Sequence, residues 1–326
     1  MIHAILALFA SPVLPPVIPA QLAYQDQGRL GRGGVFSGRR RDGSLRRADS
    51  AEGQATLPAG SQTLRYGTAA EQRILLWNAP TGSTAGRAGR RPPLAVFIHG
   101  GGWAHGTPEM VAVKPAWFAA HGWAFASVGY RLLPDAPVEE QAADVGRALE
   151  RLRRDAAAQG YDPNRILLLG HSAGAHLAAL VGTDPHYAGD AFSAIRGVIP
   201  IDGACYDVVR QMADGGQFMM QRTYIPAFGT AEARQRALSP TTHAGGADAP
   251  DWLLLFDDQR ADAVSQSALL AAALQRSGVA VAQQGIHFDD RMTMQRHRRM
   301  NTEFGAPTYA ANPAIEALMR RVEAMR

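Results

Sequence analysis

Short continuous runs of apolar residues recur along the chain after residue 64, and stretches with helical spacing separate them. Each run is only a few residues long, which suits a strand that is buried on both faces. The stretch 138–158 instead repeats apolar residues at the spacing of a helix and ends at Gly160. The predicted strands cover 74–77, 94–98, 124–128, 166–169, 198–201 and 252–256, and further helices cover 111–120, 173–181, 263–276 and a last segment from Pro313 with Asn312 as its cap.

This alternation of strands and helices predicts the fold class. Buried strands separated by helices form βαβ units, in which a mainly parallel sheet is covered by helices on both faces. The pattern therefore predicts an α/β domain over residues 64–326. In such a sheet, reactive groups are expected at the carboxyl ends of the strands.

The first 63 residues follow a different pattern. Residues 1–23 hold an apolar run over 5–10 followed by four prolines, which resembles the core of a secretory signal with cleavage near Ala20. No Lys or Arg precedes the run, so export and cytoplasmic location both stay open. Residues 24–63 are rich in Gly and Arg and have few apolar positions, so they predict a flexible arm.

Composition excludes some classes of function. The chain has 326 residues, 46% of them hydrophobic, and a formal net charge of only +4. This small excess of positive charge does not indicate a nucleic-acid partner. No apolar run is long enough to span a bilayer. The single cysteine, Cys205, excludes an intrachain disulfide.

The segment Gly170-His171-Ser172-Ala173-Gly174 directly follows one predicted strand and directly precedes a helix. A G-x-S-x-G sequence in this context is typical of a nucleophile elbow, because a tight strand-to-helix turn exposes the serine hydroxyl. The N–H of Ala173 at the helix start is then available to a developing oxyanion. Ser172 is therefore predicted to be a nucleophile.

The segment His99-Gly100-Gly101-Gly102-Trp103 follows another predicted strand. Consecutive glycines let backbone N–H groups approach a substrate closely, so Gly101 and Gly102 are predicted to complete the oxyanion hole with Ala173. A tight structural turn is the alternative. The chain shows no zinc or calcium ligand spacing and no nucleotide-binding fingerprint, so we predict neither a metal nor any other cofactor.

Three segments together resemble the carboxylesterases of the α/β-hydrolase superfamily, namely His99 to Trp103, Tyr130-Arg131-Leu132-Leu133-Pro134 and Gly170 to Gly174. The similarity is greatest to the branch that holds bacterial esterases and kynurenine formamidase-like enzymes, and it covers residues 65–325. It implies a serine esterase with a Ser-Asp-His triad, an acyl-enzyme and a small or medium acyl ester as substrate. An aryl formamidase and a non-catalytic binding module are the alternatives, and oligomeric state stays open.

The resemblance also implies an acid after the strand 252–256. The sequence there departs from the usual H-G-x-x-D, and it offers Asp258 and Asp262. We favour Asp262, which precedes the helix that starts near Ser265. A plain helix-capping role is the alternative for Asp262.

Two histidines are candidates for the base. His297 stands shortly before Asn301 and Gly305, as in related esterases, whereas His287 closely follows the last strand. We favour His297, which implies a long loop over 288–296. The resemblance also gives residues 205–240 a role as a cover of the acyl pocket, with ordinary core packing as the alternative.

Overall fold

The computed structural model describes residues 59–82 and 90–325. The predicted signal segment 1–23 and residues 24–58 of the predicted arm lie outside the described residues. One mixed sheet has the strand order β1-β2-β4-β3-β5-β6-β7-β8. Its strands are β1 (Gln62–Arg65), β2 (Arg73–Trp77), β3 (Leu94–Ile98), β4 (Ala124–Val128), β5 (Ile166–His171), β6 (Ile195–Ile201), β7 (Asp251–Asp257) and β8 (Ala280–Ile286).

Strands β3 to β8 run parallel to one another, whereas β2 runs antiparallel to both of its neighbours, β1 and β4. A 3₁₀ helix over Gly189–Ala194 and a π-helical turn over Met220–Tyr224 accompany the α-helices. The α-helices are α1 (Lys114–Ala120), α2 (Val138–Gln159), α3 (Ala173–Thr183), α4 (Pro185–Ala188), α5 (Val208–Asp214), α6 (Gln217–Met219), α7 (Ile225–Phe228), α8 (Glu232–Ala237), α9 (Pro240–His243), α10 (Ala261–Arg276), α11 (Thr293–Thr302) and α12 (Asn312–Ala324).

Helices cover both faces of the sheet, so the central strands have no solvent-exposed side. All five residues of β3 and all five of β4 are buried. On one face α2, α3 and α10 pack against the sheet, and on the other α1, α11 and α12 do so. Because both faces of these strands are buried, their sequences are unbroken apolar runs rather than alternating apolar and polar residues. The predicted α/β fold is confirmed.

Two local details differ from the sequence prediction. Asn312 does not cap the last helix: it is the first residue of α12, the N-cap is Ala311, and the Asn312 amide donates to the Ala306 carbonyl instead. The predicted long loop 288–296 is shorter, because α11 begins at Thr293 and carries His297. Within the described residues, no helix combines the length and apolar character needed to cross a bilayer.

Candidate active site

The register of the parallel strands brings three chemical groups to one edge of the sheet. Ile98 pairs with Gly170, and His171 pairs with Ile201. The residues that follow these strand ends therefore lie at nearly the same level. They are the glycine loop after β3, Ser172 after β5 and Asp202 after β6, at the carboxyl edge where ligands bind in open α/β sheets.

Ser172 occupies a strained turn between β5 and α3. Its φ is 57° and its ψ is −120°, a conformation that an L-residue adopts rarely. The turn also requires its flanking glycines: a Cβ on Gly170 would lie 2.1 Å from the Gly174 carbonyl oxygen, and one on Gly174 would lie 2.2 Å from the Ile98 carbonyl oxygen. The backbone N–H of Ser172 donates to the Ile201 carbonyl at 3.0 Å, which ties the elbow to β6.

The loop after β3 folds back on itself and presents its backbone toward the elbow. Gly101 has a φ of 132°, and its carbonyl accepts the N–H groups of Ala104 and His105. A Cβ on Gly101 would lie 2.0 Å from the His105 carbonyl oxygen, so only glycine fits. A Cβ on Gly100 would lie 3.0 Å from Ser172 Cβ, which places this loop against the elbow.

Three backbone N–H groups are available near Ser172. Among the described residues, those of Gly101 and Gly102 donate to no protein acceptor, and Ala173 is the first residue of α3, where N–H groups lack an intrahelical partner. This arrangement can supply donors to an oxyanion. The N–H groups of Gly101, Gly102 and Ala173 are those predicted from sequence.

The base candidate His297 lies beside the elbow and is hydrogen-bonded to an aspartate. Its Nδ1 is 2.5 Å from Oδ2 of Asp202, which is fully buried and follows β6 directly. The neighbouring His171 contacts it as well, with ring centroids 4.5 Å apart and with Nε2 donating to the His297 carbonyl at 2.9 Å. In the described part of the chain, neither His297 Nε2 nor the Ser172 hydroxyl has a hydrogen-bond partner.

Asp202 was not among the acids predicted from sequence. Its second oxygen accepts the N–H of Asp257 at 3.0 Å, and its φ of 48° turns the chain sharply after β6. Burial alone would raise the pKa of this carboxyl, but the His297 hydrogen bond and the charge of Arg260 outweigh burial and lower the pKa to about 2. Asp202 is therefore held as a carboxylate.

Asp262, the acid favoured from sequence, contacts a different residue. Its two oxygens accept Nε and Nη2 of Arg260 at 2.9 and 3.3 Å. The alternative capping role is not seen either, because the N-cap of α10 is Arg260 and Asp262 stands in the first helical turn. The structure thus brings Asp202, rather than Asp262, into hydrogen-bond contact with His297.

The other pair of candidates from the sequence, Asp258 and His287, forms an exposed contact of its own. His287 Nδ1 is 3.1 Å from Asp258 Oδ1, and their side chains are 63% and 40% exposed. An exposed ion pair of this kind contributes little to stability. Among the described residues, no hydrogen bond joins this pair to Ser172 or to the glycine loop.

Residues 205–240 lie beside the glycine loop and divide into two groups. Tyr206 and Phe228 are fully buried, and Phe228 packs edge-on against Trp103 at 4.8 Å. In contrast, Phe218 is 70% exposed. A Cβ on Gly102 would lie 3.4 Å from Cγ2 of Thr223, so the π-helical turn stands over the glycine loop. The segment thus contributes both to the core and to the surroundings of the site.

Buried histidines near the site are neutral structural groups. Burial lowers the pKa of His99 and of His176 to about 4. His99 stacks on Tyr130 at 4.3 Å, and its carbonyl accepts the Tyr130 hydroxyl at 2.8 Å, which fixes the start of the glycine loop. Over residues 59–82 and 90–325, no cluster of three or more His, Cys, Asp or Glu could hold a metal ion.

Comparisons with known proteins find esterases among the similar sequences. The BD-FAE family model matches residues 85–213, which include the glycine loop and the elbow. Esterase LipQ of Mycobacterium tuberculosis is 27% identical over 237 residues, which cover 68% of this chain and 54% of LipQ. Esterase LipC of the same organism is 35% identical over 99 residues, covering 29% of this chain and 25% of LipC. The matched parts thus span about half of one curated relative and a quarter of the other.

Solved structures share the fold. Esterase B from Lactobacillus rhamnosis superposes with a TM-score of 0.60 at 21% sequence identity, over 82% of this chain and 86% of that one. Together with the parallel sheet and the elbow, these similarities show that the chain has the α/β-hydrolase fold. The curated relatives named above are esterases.

Proposed function

We propose that the protein is a carboxylic ester hydrolase in which Ser172 is the nucleophile, His297 the general base and Asp202 the orienting acid. The observation that carries the proposal is the joint placement of a strained serine elbow and a buried aspartate–histidine pair at one strand edge. Asp202 takes the role that the sequence favoured for Asp262. The order Ser172, Asp202, His297 along the chain is that of α/β-hydrolases.

The first half-reaction transfers the acyl group to the protein. Ser172 Oγ attacks the ester carbonyl carbon, while its proton passes to Nε2 of His297. In substrate-free structures such catalytic hydrogen bonds are often not yet formed, and the hydroxyl rotates onto Nε2 as the substrate binds. Asp202 keeps the Nδ1 proton in place and stabilises the imidazolium. The tetrahedral oxyanion is bound by the N–H groups of Gly101, Gly102 and Ala173.

Collapse of the first tetrahedral intermediate completes the acyl transfer, and the second half-reaction then releases the acid. As the tetrahedral intermediate collapses, Nε2 returns the proton to the leaving alcohol oxygen, and an ester of Ser172 remains. A water molecule then gives a proton to Nε2 and attacks the acyl carbon. In the second collapse the bond to Ser172 Oγ breaks, Nε2 returns the proton to Oγ, and the carboxylic acid is freed. None of these steps needs a cofactor.

Small or medium acyl esters are the proposed substrates. The π-helical turn with Thr223 stands over the glycine loop, and buried apolar side chains of the same segment lie next to that loop. Such surroundings favour an apolar acyl group of limited size next to Ser172. The curated relatives, named as esterases, support the same substrate class.

A graded panel of p-nitrophenyl esters tests the proposal. We expect turnover of short and medium acyl chains by the wild-type protein and none above background by Ser172→Ala, which keeps the fold. An aryl formamide measured alongside tests the alternative amidase activity. If the formamide has the larger kcat/KM, or if no substrate is cleaved by folded protein, the ester hydrolase assignment is wrong.

A further inference from the structure

A buried guanidinium links the proposed acid–base pair to a second carboxylate. Arg260 Nη1 donates to Asp202 Oδ2 at 2.8 Å and to the Asp202 carbonyl at 3.1 Å, while its Nε and Nη2 face Asp262. The Arg260 side chain is only 13% exposed, and Asp202 is not exposed at all. We refer to Asp202, Arg260, Asp262 and His297 as the arginine cluster.

The arginine cluster contains competing contacts at one nitrogen. His297 Nδ1 is 2.5 Å from Asp202 Oδ2 and also 2.8 Å from Arg260 Nη1. A guanidinium can only donate, and Nδ1 cannot accept while it carries the proton that it shares with Asp202. An Nδ1 that accepted from Arg260 would leave the ring proton on Nε2, where the proposed reaction needs a lone pair. Productive chemistry therefore requires that Asp202, and not Arg260, hold Nδ1.

Charge counting shows what Asp262 contributes. With a neutral imidazole, the two carboxylates and one guanidinium sum to a net charge of −1, and proton uptake by His297 brings the sum to zero. Without Asp262 the resting sum is zero, and proton uptake creates a net positive charge in a largely buried site. Without Arg260 the resting sum is −2. An unbalanced charge in a poorly solvated region is costly, so the imidazolium depends on this sum.

We propose that Asp262 is a positioning residue that acts through Arg260: by pairing with the guanidinium, it leaves the negative charge of Asp202 available to His297. The proposal rests on the proposed function, in which His297 is the base. In this role Asp262 acts on the imidazole electrostatically, through Arg260, without contacting the imidazole itself. It also explains why a cation lies next to the base without displacing the base from its acid.

Other charged or titratable groups surround the cluster and stay unchanged in the test. His171 faces His297 from the end of β5. On α11 itself, Arg296 is paired with Asp257, and Arg299 with Asp290 and Glu303. Lys114 donates to Asn301 on α11, and Arg298 follows His297 in the chain. Four further titratable side chains lie near Asp202 or Arg260: Cys205, Tyr206, Tyr224 and Tyr309.

The experiment compares Asp262→Asn, Arg260→Gln and the double variant by the pH dependence of kcat/KM. Asp262→Asn removes a negative charge, so the midpoint of the acid limb of the kcat/KM profile should move about half a pH unit lower. Arg260→Gln removes a positive charge, so the same midpoint should move about one pH unit higher. The double variant restores the net charge of −1, so its midpoint should lie between those of the single variants, about half a pH unit above the wild type.

Both single variants break the same ion pair, so a merely structural role predicts the same effect from each. Shifts of the midpoint in opposite directions therefore indicate the electrostatic role. If Asp262 only anchors the helix start, the two variants shift the midpoint in the same direction or not at all, and the proposal is overturned. Asp258→Asn, at an exposed neighbouring position, is the matched control and should leave the midpoint unchanged. Thermal unfolding of each variant checks that the compared proteins are folded.

A second readout makes failure of the inference distinguishable from failure of the proposed function. The NMR titration of the His297 ring protons, assigned by their loss in His297→Gln, follows the imidazole without any turnover. If no ester is cleaved and the titration midpoints still move in opposite directions, the proposed function fails and the inference about the cluster stands. If esters are cleaved and the midpoints do not diverge, the inference alone fails.

Discussion

Replacement of Asp202 by asparagine tests the assignment of the acid most specifically. Asp202 Oδ2 is 2.5 Å from His297 Nδ1, while Oδ1 accepts the N–H of Asp257 at 3.0 Å. Asparagine is nearly isosteric and can keep the bond to Asp257 through its carbonyl oxygen, which directs its amide NH₂ toward Nδ1. Two donors, this NH₂ and Arg260 Nη1, would then face Nδ1 and force the ring proton onto Nε2.

The expected loss follows from this wrong tautomer. An imidazole protonated at Nε2 cannot accept the serine proton, and the corresponding change in a serine protease lowers kcat by about 10⁴. A factor of this size corresponds to about 5 kcal/mol of transition-state stabilisation. We expect Asp202→Asn to show a loss of this order in kcat on the best p-nitrophenyl ester, with a KM within a few-fold of the wild type.

The comparison includes both acids predicted from the sequence. Asp262→Asn should lower kcat far less than Asp202→Asn, because Asp262 contacts Arg260 and not the imidazole. Asp258→Asn should retain wild-type turnover. If Asp202→Asn kept kcat within about tenfold while Asp262→Asn lost about 10⁴, the acid would be Asp262 and our reasoning from the hydrogen bonds would be refuted.

Three further predictions concern the glycine loop, the base and the stability of the fold at low pH. Gly101→Ala places a Cβ 2.0 Å from the His105 carbonyl oxygen, so the loop must shift, and kcat should fall by at least about 10²-fold; a normal kcat with only a lower Tm would favour a structural turn. His297→Ala should lower kcat about as much as loss of Ser172, whereas the exposed His287→Ala should change it only a few-fold, and the reverse ranking would reassign the base. Because the pKa of Asp202 is lowered from 3.8 to about 2, this carboxylate stabilises the fold above about pH 4 and loses that contribution toward pH 2. The free energy of unfolding should therefore fall by about 2 kcal/mol more in the wild type than in Asp202→Asn over this range, and equal losses in urea titrations would contradict the attribution.

The fold and the strained turn at Ser172 could be predicted because their signals are local. Double burial makes the central strands apolar without interruption, and the elbow needs Gly170 and Gly174 within a few residues of Ser172. The glycine loop is equally local, since its backbone bonds join Gly101 to Ala104 and His105. Short-range sterics therefore determined these parts of the prediction.

The contact of Asp202 with His297 was not predicted because the two residues are distant in the chain. Asp202 meets His297 only through the order of the strands, and the resemblance to esterases directed attention to the segment after β7, where Arg260 now stands between Asp202 and Asp262. One signal was available: Asp202 directly follows the buried strand β6, at the sheet edge where reactive groups were expected. A search for carboxylates after every predicted strand would have included it.

Labelling with a fluorophosphonate tests the central claim most directly, because the reagent modifies only a serine activated by its surroundings. We predict one equivalent of adduct per chain by intact-protein mass spectrometry, located at Ser172 by peptide mapping and absent in Ser172→Ala. The labelling rate should fall sharply in His297→Ala. Absence of labelling in folded wild-type protein, or an adduct on a residue other than Ser172, would contradict the account.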